Sequence, residues 1–187
     1  MAGFTENLNL IASLWTIAGQ IFLVTILILW LFSRFGKGSV KSRSIEILRK
    51  AGSWGLVSGF VVVLTSVVLS LVYSDFIGFE PCKLCWIQRI FLYPQAVILG
   101  LALWKKSRDA ETYCLALSTI GATIALYHYY GENFNPSALP ACDAGGAISC
   151  AVRFVAEFGY ITIPLMSLTA FLLIIVSMLL AKSVTKN

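Results

Sequence analysis

Cys82 and Cys85 stand three positions apart at the start of a long apolar run, and Arg89 follows four residues later. Two thiols at that spacing can form a reactive disulfide or hold a metal ion. A purely structural disulfide closes so small a loop that it constrains little of the unfolded chain. A four-thiolate zinc site with Cys142 and Cys150 is a second option, although the second pair is spaced more widely than zinc ligands commonly are. A redox pair suits the residues best. Pro81 favours a helix start, which sets the thiols near the positive end of a helix dipole. Lys83 and Arg89 add positive charge, so thiolate is favoured, while Glu80 opposes it.

Arg89 lies on the same helix face as Cys85, about one turn deeper. It either snorkels to the headgroups or stabilises an anion near the thiol, and the cost of an arginine in lipid favours the second role. Gln88 is a weaker candidate for hydrogen bonding in the same region. His128, the single histidine, sits in Tyr127-His128-Tyr129-Tyr130. It reads as a member of an interfacial aromatic belt or as a donor to a bound carbonyl. Cys142 and Cys150 occupy a segment punctuated by Pro136, Pro140, Gly145 and Gly146, which predicts a flexible ring. Cys114, the fifth cysteine, reads as a small packing residue.

The elements that must position these groups are membrane helices. The chain has 187 residues, of which 58% are hydrophobic and 12% charged, and its mean hydropathy is +0.84. These values exclude an ordinary water-soluble domain. No charge lies between Glu6 and Arg34, Lys50 and Asp75, or Glu157 and Lys182. Only Arg89 interrupts Lys83 to Lys105, and only His128 interrupts Glu111 to Glu132. Five spans are therefore expected, near 10–33, 54–74, 84–104, 112–130 and 160–181. The first is read as a retained helix, because no Lys or Arg precedes it and it exceeds the length of a signal-peptide core.

Net charge is +5, but its distribution argues against a nucleic-acid partner. Eleven of the fourteen basic residues fall in the first and third connections and the C-terminal tail. With alternating spans these share one side, which predicts an N-terminus outside and a C-terminus in the cytoplasm. Membrane lipid is the expected partner of the basic connection. Cys82, Cys85, Cys142 and Cys150 then face the oxidising side and Cys114 the reducing side. The spacing of Val152, Val155, Ala156 and Phe158, with Arg153 and Glu157 as an i,i+4 pair, predicts a short interfacial helix in the second outer loop.

The run Cys82-Lys83-Leu84-Cys85-Trp86-Ile87-Gln88-Arg89, the later Tyr127-His128 and the outer cysteine pair resemble the DsbB family of membrane disulfide-forming oxidoreductases. The short gap between Cys142 and Cys150 resembles its BdbC branch. The DsbA–DsbB–quinone route is itself the established example of how an oxidising compartment is maintained. The likeness covers about Trp54 to Ala181, so residues 54–187 are expected to form a four-helix redox domain. Residues 1–53 would add an extra transmembrane helix and a basic cytoplasmic connection.

The resemblance implies that a DsbA- or BdbD-like thioredoxin-fold thiol oxidase attacks a Cys142–Cys150 disulfide, and that electrons pass through Cys82 and Cys85. The acceptor it implies is a membrane quinone, ubiquinone or menaquinone, in contact with the respiratory chain. Arg89 and His128 would join Cys85 in binding that quinone. No metal is expected. The bacterial cytoplasmic membrane is the implied location. Two other classes stay open: a vitamin K epoxide reductase-like enzyme, whose cysteine pairs run in the opposite order, and a non-enzymatic protein with bound metal or structural disulfides.

Overall fold

The computed structural model describes residues 2–107, 109–139 and 149–185. Six α-helices account for most of them: α1 (Ala2–Phe35), α2 (Gly38–Ser53), α3 (Gly55–Leu71), α4 (Lys83–Lys105), α5 (Ala110–Asn133) and α6 (Ile163–Thr185). Four are long and apolar enough to cross a membrane: Gly3–Phe35, Gly55–Phe76, Lys83–Lys105 and Ile163–Val184. The fifth expected span is α5, which matches the others in length but carries Glu111, His128 and Glu132 on buried positions.

The chain breaks where local chemistry dictates. Gly36 closes α1 with a bond from its N–H to the Phe32 carbonyl, and Gly38 takes a left-handed φ of 59°, a conformation that costs glycine nothing. The basic first connection, expected only as a linker, is the amphipathic helix α2. Trp54 leaves helical geometry at φ −97°, ψ 2° and separates α2 from α3. The last turns of α3 widen into a π-helical segment, Val72–Phe76. Cys82 is extended at φ −67°, ψ 172° and caps α4, and its carbonyl accepts the Trp86 N–H at 3.1 Å. Pro81 therefore lies just ahead of the cap rather than in the first helical position.

Helices α3 to α6 pack in a closed ring, each against two neighbours, while α1 and α2 lie outside it against α6. Val63, Leu92, Leu99, Phe171, Ile174 and Met178 form the core of the ring, with Cys114 fully buried among them. In lipid, helix association depends on close packing and hydrogen bonds rather than on water exclusion. The structure uses both. A Cβ at Gly52 or Gly55 would collide with the backbone of α6 at Leu180 or Ser177, and one at Gly121 would enter the Phe171 ring. Beside Pro94, the buried Gln95 donates to the Phe91 carbonyl at 2.8 Å and accepts from Ser118 at 2.9 Å. This pair ties α4 to α5.

The interfacial helix expected after Cys150 does not form. Residues 149–162 hold no helix; they contain turns and a lone antiparallel bridge between Glu157 and Ile161. Phe158 and Gly159 adopt left-handed φ values of 52° and 77°, which no α-helix accommodates. The anticipated Arg153–Glu157 pairing gives way to a bond from Arg153 Nη2 to the Glu132 carbonyl at 2.7 Å. That bond pins the loop to the end of α5. Cys142 and most of the ring expected to be flexible lie outside the described residues.

Candidate redox site

The start of α4 sets the site. With Cys82 as the cap and Cys85 in the first turn, the two sulfurs lie 3.2 Å apart, Cys82 donating to Cys85. Cys82 is buried and Cys85 half-buried. All four described cysteines are free thiols. Hydrogen bonding to Cys85, followed by burial, pushes the Cys82 thiol up to about 12. The sequence predicted that positive charge would favour thiolate at both sulfurs, and at Cys82 it does not. The reason is local: its proton is held by its neighbour's sulfur. Burial likewise pushes Cys150 up to about 11.

His128 is the hub of the arrangement. It is 3% exposed, so the aromatic-belt reading fails. The Gln88 amide contacts its Nδ1 at 3.2 Å, while Nε2 faces the Cys150 carbonyl at 3.0 Å and Cys82 Sγ at 3.9 Å. A carbonyl oxygen only accepts, so Nε2 must carry the proton and Gln88 must donate to Nδ1. One imidazole thus joins α4, α5 and the Cys150 loop. Cys82 and Cys150 also share a small apolar cluster with Leu84 and Leu139.

Arg89 does not snorkel. Its Nη2 donates to the Ser70 carbonyl of α3 at 3.1 Å, and its guanidinium lies 5.2 Å from the Trp86 ring centre. Both contacts hold a fixed charge one turn below Cys85. A cavity of about 420 Å³ opens in front of these groups, with Cys82, Cys85, Gln88, Arg89, His128 and Glu132 at one end. Such a volume falls within the usual range for ligand sites, about 300–1,000 Å³. The site thus joins six of its lining groups with Cys150, whose residue also lines the cavity.

A metal was the second sequence option for the thiols. Ligand atoms of Cys82, Cys85 and His128 lie within 4.8 Å of one another. Ligation through Nε2 would require a free lone pair on an atom that the Cys150 carbonyl requires to be protonated. The donor set as arranged therefore fits hydrogen bonding between thiols and imidazole better than a closed zinc site.

Sequence reasoning undervalued Gln88 and read Glu132 only as an outward charge. Glu132 follows His128 by four residues, a spacing that does predict a shared face. Nothing in the spacing could pair Gln88 with a residue forty positions away.

Comparison with known proteins assigns the chain to a family. The model of the disulfide bond formation protein DsbB family matches residues 52–181. The chain belongs to that family. Disulfide bond formation protein C of Bacillus subtilis is 38% identical over 128 residues, spanning 68% of this chain and 91% of that protein. The probable disulfide formation protein C of Halalkalibacterium halodurans is 37% identical over 141 residues, or 74% and 96% of the two chains. An SPbeta prophage-derived disulfide bond formation protein B of Bacillus subtilis is 44% identical over 115 residues, or 62% and 76%. No solved structure matches. The chain is accordingly a membrane oxidoreductase of disulfide bond formation.

Proposed function

We propose that this DsbB-family protein reoxidises an extracytoplasmic thioredoxin-like dithiol oxidase and delivers the electrons to a membrane quinone. One observation carries the reading most directly. Two thiols, an imidazole and a fixed arginine converge on one end of a cavity whose remaining lining is mainly apolar, with scattered hydroxyls. That combination suits a ring with two carbonyl oxygens and a lipid-soluble tail. Cys85 and Arg89 would hold the ring end, with His128 as a hydrogen-bond donor. A quinone, when bound, supplies a two-electron, two-proton acceptor for the thiols of Cys82 and Cys85.

The chain's own part is disulfide exchange, in which every step breaks one S–S bond and forms another. A partner thiolate attacks Cys142 and frees Cys150. The partner's second thiol resolves the mixed disulfide, so the partner leaves oxidised and Cys142 becomes a thiol. Cys150 attacks Cys82 and releases Cys85 as the leaving thiolate. Cys142 then closes on Cys150 and releases Cys82. Each cycle thus moves two electrons from the partner dithiol to the Cys82–Cys85 pair. Contact between Cys82 and the Cys150 residue through His128 supports the third exchange.

The protein is read as residing in a bacterial cytoplasmic membrane, with the N-terminus outside, the C-terminus in the cytoplasm and residues 54–187 as the redox domain. Purified protein should oxidise a reduced thioredoxin-like partner through many turnovers only when a quinone is present, its own disulfides supporting no more than stoichiometric oxidation without one. Cys85→Ser should abolish steady-state turnover while leaving the Cys142–Cys150 exchange intact in a single turnover. Retained turnover in that variant would sink the electron route.

A further inference from the structure

The cavity that ends at the thiols does not stop at the four-helix ring. Leu8, Ile11, Ala12, Trp15 and Thr16 of α1 line it from the opposite side. These residues lie outside the 52–181 region that matches the family. We propose that α1 is the tail wall of the acceptor site, holding the quinone's apolar chain against Leu8, Ile11, Ala12 and Trp15 while the ring end lies at Cys85 and Arg89. The inference rests on the quinone reading of that same cavity.

Three features support it. First, the lining is graded by chemistry: the charged and titratable groups Cys85, Arg89, His128 and Glu132 gather on α4 and α5, whereas α1, α3 and α6 present mainly apolar residues, broken by the hydroxyls of Thr16, Thr65, Ser66, Ser70, Ser167 and Thr169. An amphiphile with a polar ring and a hydrocarbon chain matches that division. Second, α1 is docked at defined points. Asn9 accepts a buried hydrogen bond from Tyr73 at 2.9 Å. Gln20 donates to Thr169 at 3.5 Å and accepts from Tyr160 at 3.1 Å. Third, α1 packs along α2 and α6 but stands off α3 for most of its length. Its contacts toward that side fall near its start, at Asn9–Tyr73 and in the Phe4–Phe76 ring pair. The gap left between α1 and α3 is part of the cavity, and Leu8, Ile11, Ala12 and Trp15 on one side and Val61, Val62 and Leu69 on the other offer a hydrocarbon chain its contacts.

The test compares two probes on the full-length protein in detergent: a benzoquinone bearing a decyl chain and the same ring without it. Equilibrium binding is read from quenching of tryptophan emission. Ala12→Phe fills the tail wall and should weaken binding of the decyl quinone tenfold or more, leaving the tail-less ring unchanged. Ile28→Phe, on the same helix beyond the cavity, should change neither. As an independent measurement, a decyl quinone with a photoreactive group at its chain end should label residues between Leu8 and Thr16. This wild-type labelling decides alone if Ala12→Phe does not fold. Equal effects of Ala12→Phe on both probes, or labelling confined to α4 and α5, would overturn the role of α1. If the wild type reduces and binds both quinones in either of those cases, the proposed function stands and only the tail wall falls. If it binds neither, both readings fall together.

Discussion

Single side chains give this site its asymmetry. Cys82 donates to Cys85 and holds its proton up to about 12, and Cys150 holds its proton up to about 11. Both thiols thus bind protons more tightly when folded than at their ordinary value near 9.0. The reduced protein keeps this part of its stability below about pH 9 and loses it as pH climbs toward 11 and 12. Alkylation of Cys82 and Cys150 in the reduced protein should therefore stay slow at pH 8 and accelerate only above about pH 10, later than an unperturbed thiol. Quantifying modified peptides by mass spectrometry across pH checks this; rapid labelling of Cys82 at pH 8 would contradict it. Gln88→Leu leaves the buried His128 Nδ1 without its donor, at a cost of about 1–3 kcal/mol. It should lower the thermal midpoint, whereas Gln88→Leu made in a His128→Leu background should add little. Arg89→Lys keeps the charge but loses the planar fork that reaches Ser70 while lying beside Trp86. It should cut quinone-dependent turnover by about 10-fold or more, the loss of one charge-assisted hydrogen bond, yet leave partner exchange intact.

At the scale of elements, close approach decides where helices settle. Gly52 and Gly55 let α2 and the start of α3 touch the α6 backbone, and Gly121 sits beneath the Phe171 ring. Gly121→Val should destabilise the bundle by about 1–3 kcal/mol through overpacking, measured as loss of helical signal on heating in detergent. A neutral result would mean that the α5–α6 contact is looser than the structure has it. The loop after Cys150 is held by different means. Phe79 stacks on Tyr73 at 5.7 Å and on Phe154 at 4.7 Å, and Arg153 grips the end of α5. Those contacts replace the interfacial helix that residue spacing suggested. A run of 3.6-residue periodicity that short has little helical stability of its own, so the contacts of Arg153 and Phe154 prevail over it.

Over the whole molecule, charge and chemistry sit at opposite ends. The thiols share one end of the bundle with the beginning of α1, while Arg34, α2, Lys105 and Lys182 occupy the other. By the positive-inside rule, a reporter active only in the cytoplasm should function when fused after Asn187. A thiol introduced at Ser74, near the end that holds the redox thiols, should react with a membrane-impermeant reagent from outside; the converse pattern would invert the proposed orientation.

The amino-acid sequence by itself determined the solvent of this protein and the kind of chemistry it carries. Charge-free runs of membrane length leave helices as the only way to satisfy the backbone, and a local Cys-x-x-Cys with an arginine one turn on is legible because one helix sets all three positions. Residue patterns also named His128 and Cys150 as candidates, but not what they touch. Only tertiary structure decided that Gln88 orients His128, that Ser70 holds Arg89, and that α1 lines the cavity. Each of those contacts joins segments far apart in the chain. Helix periodicity says which face a residue occupies, while packing between helices determines which neighbour that face meets.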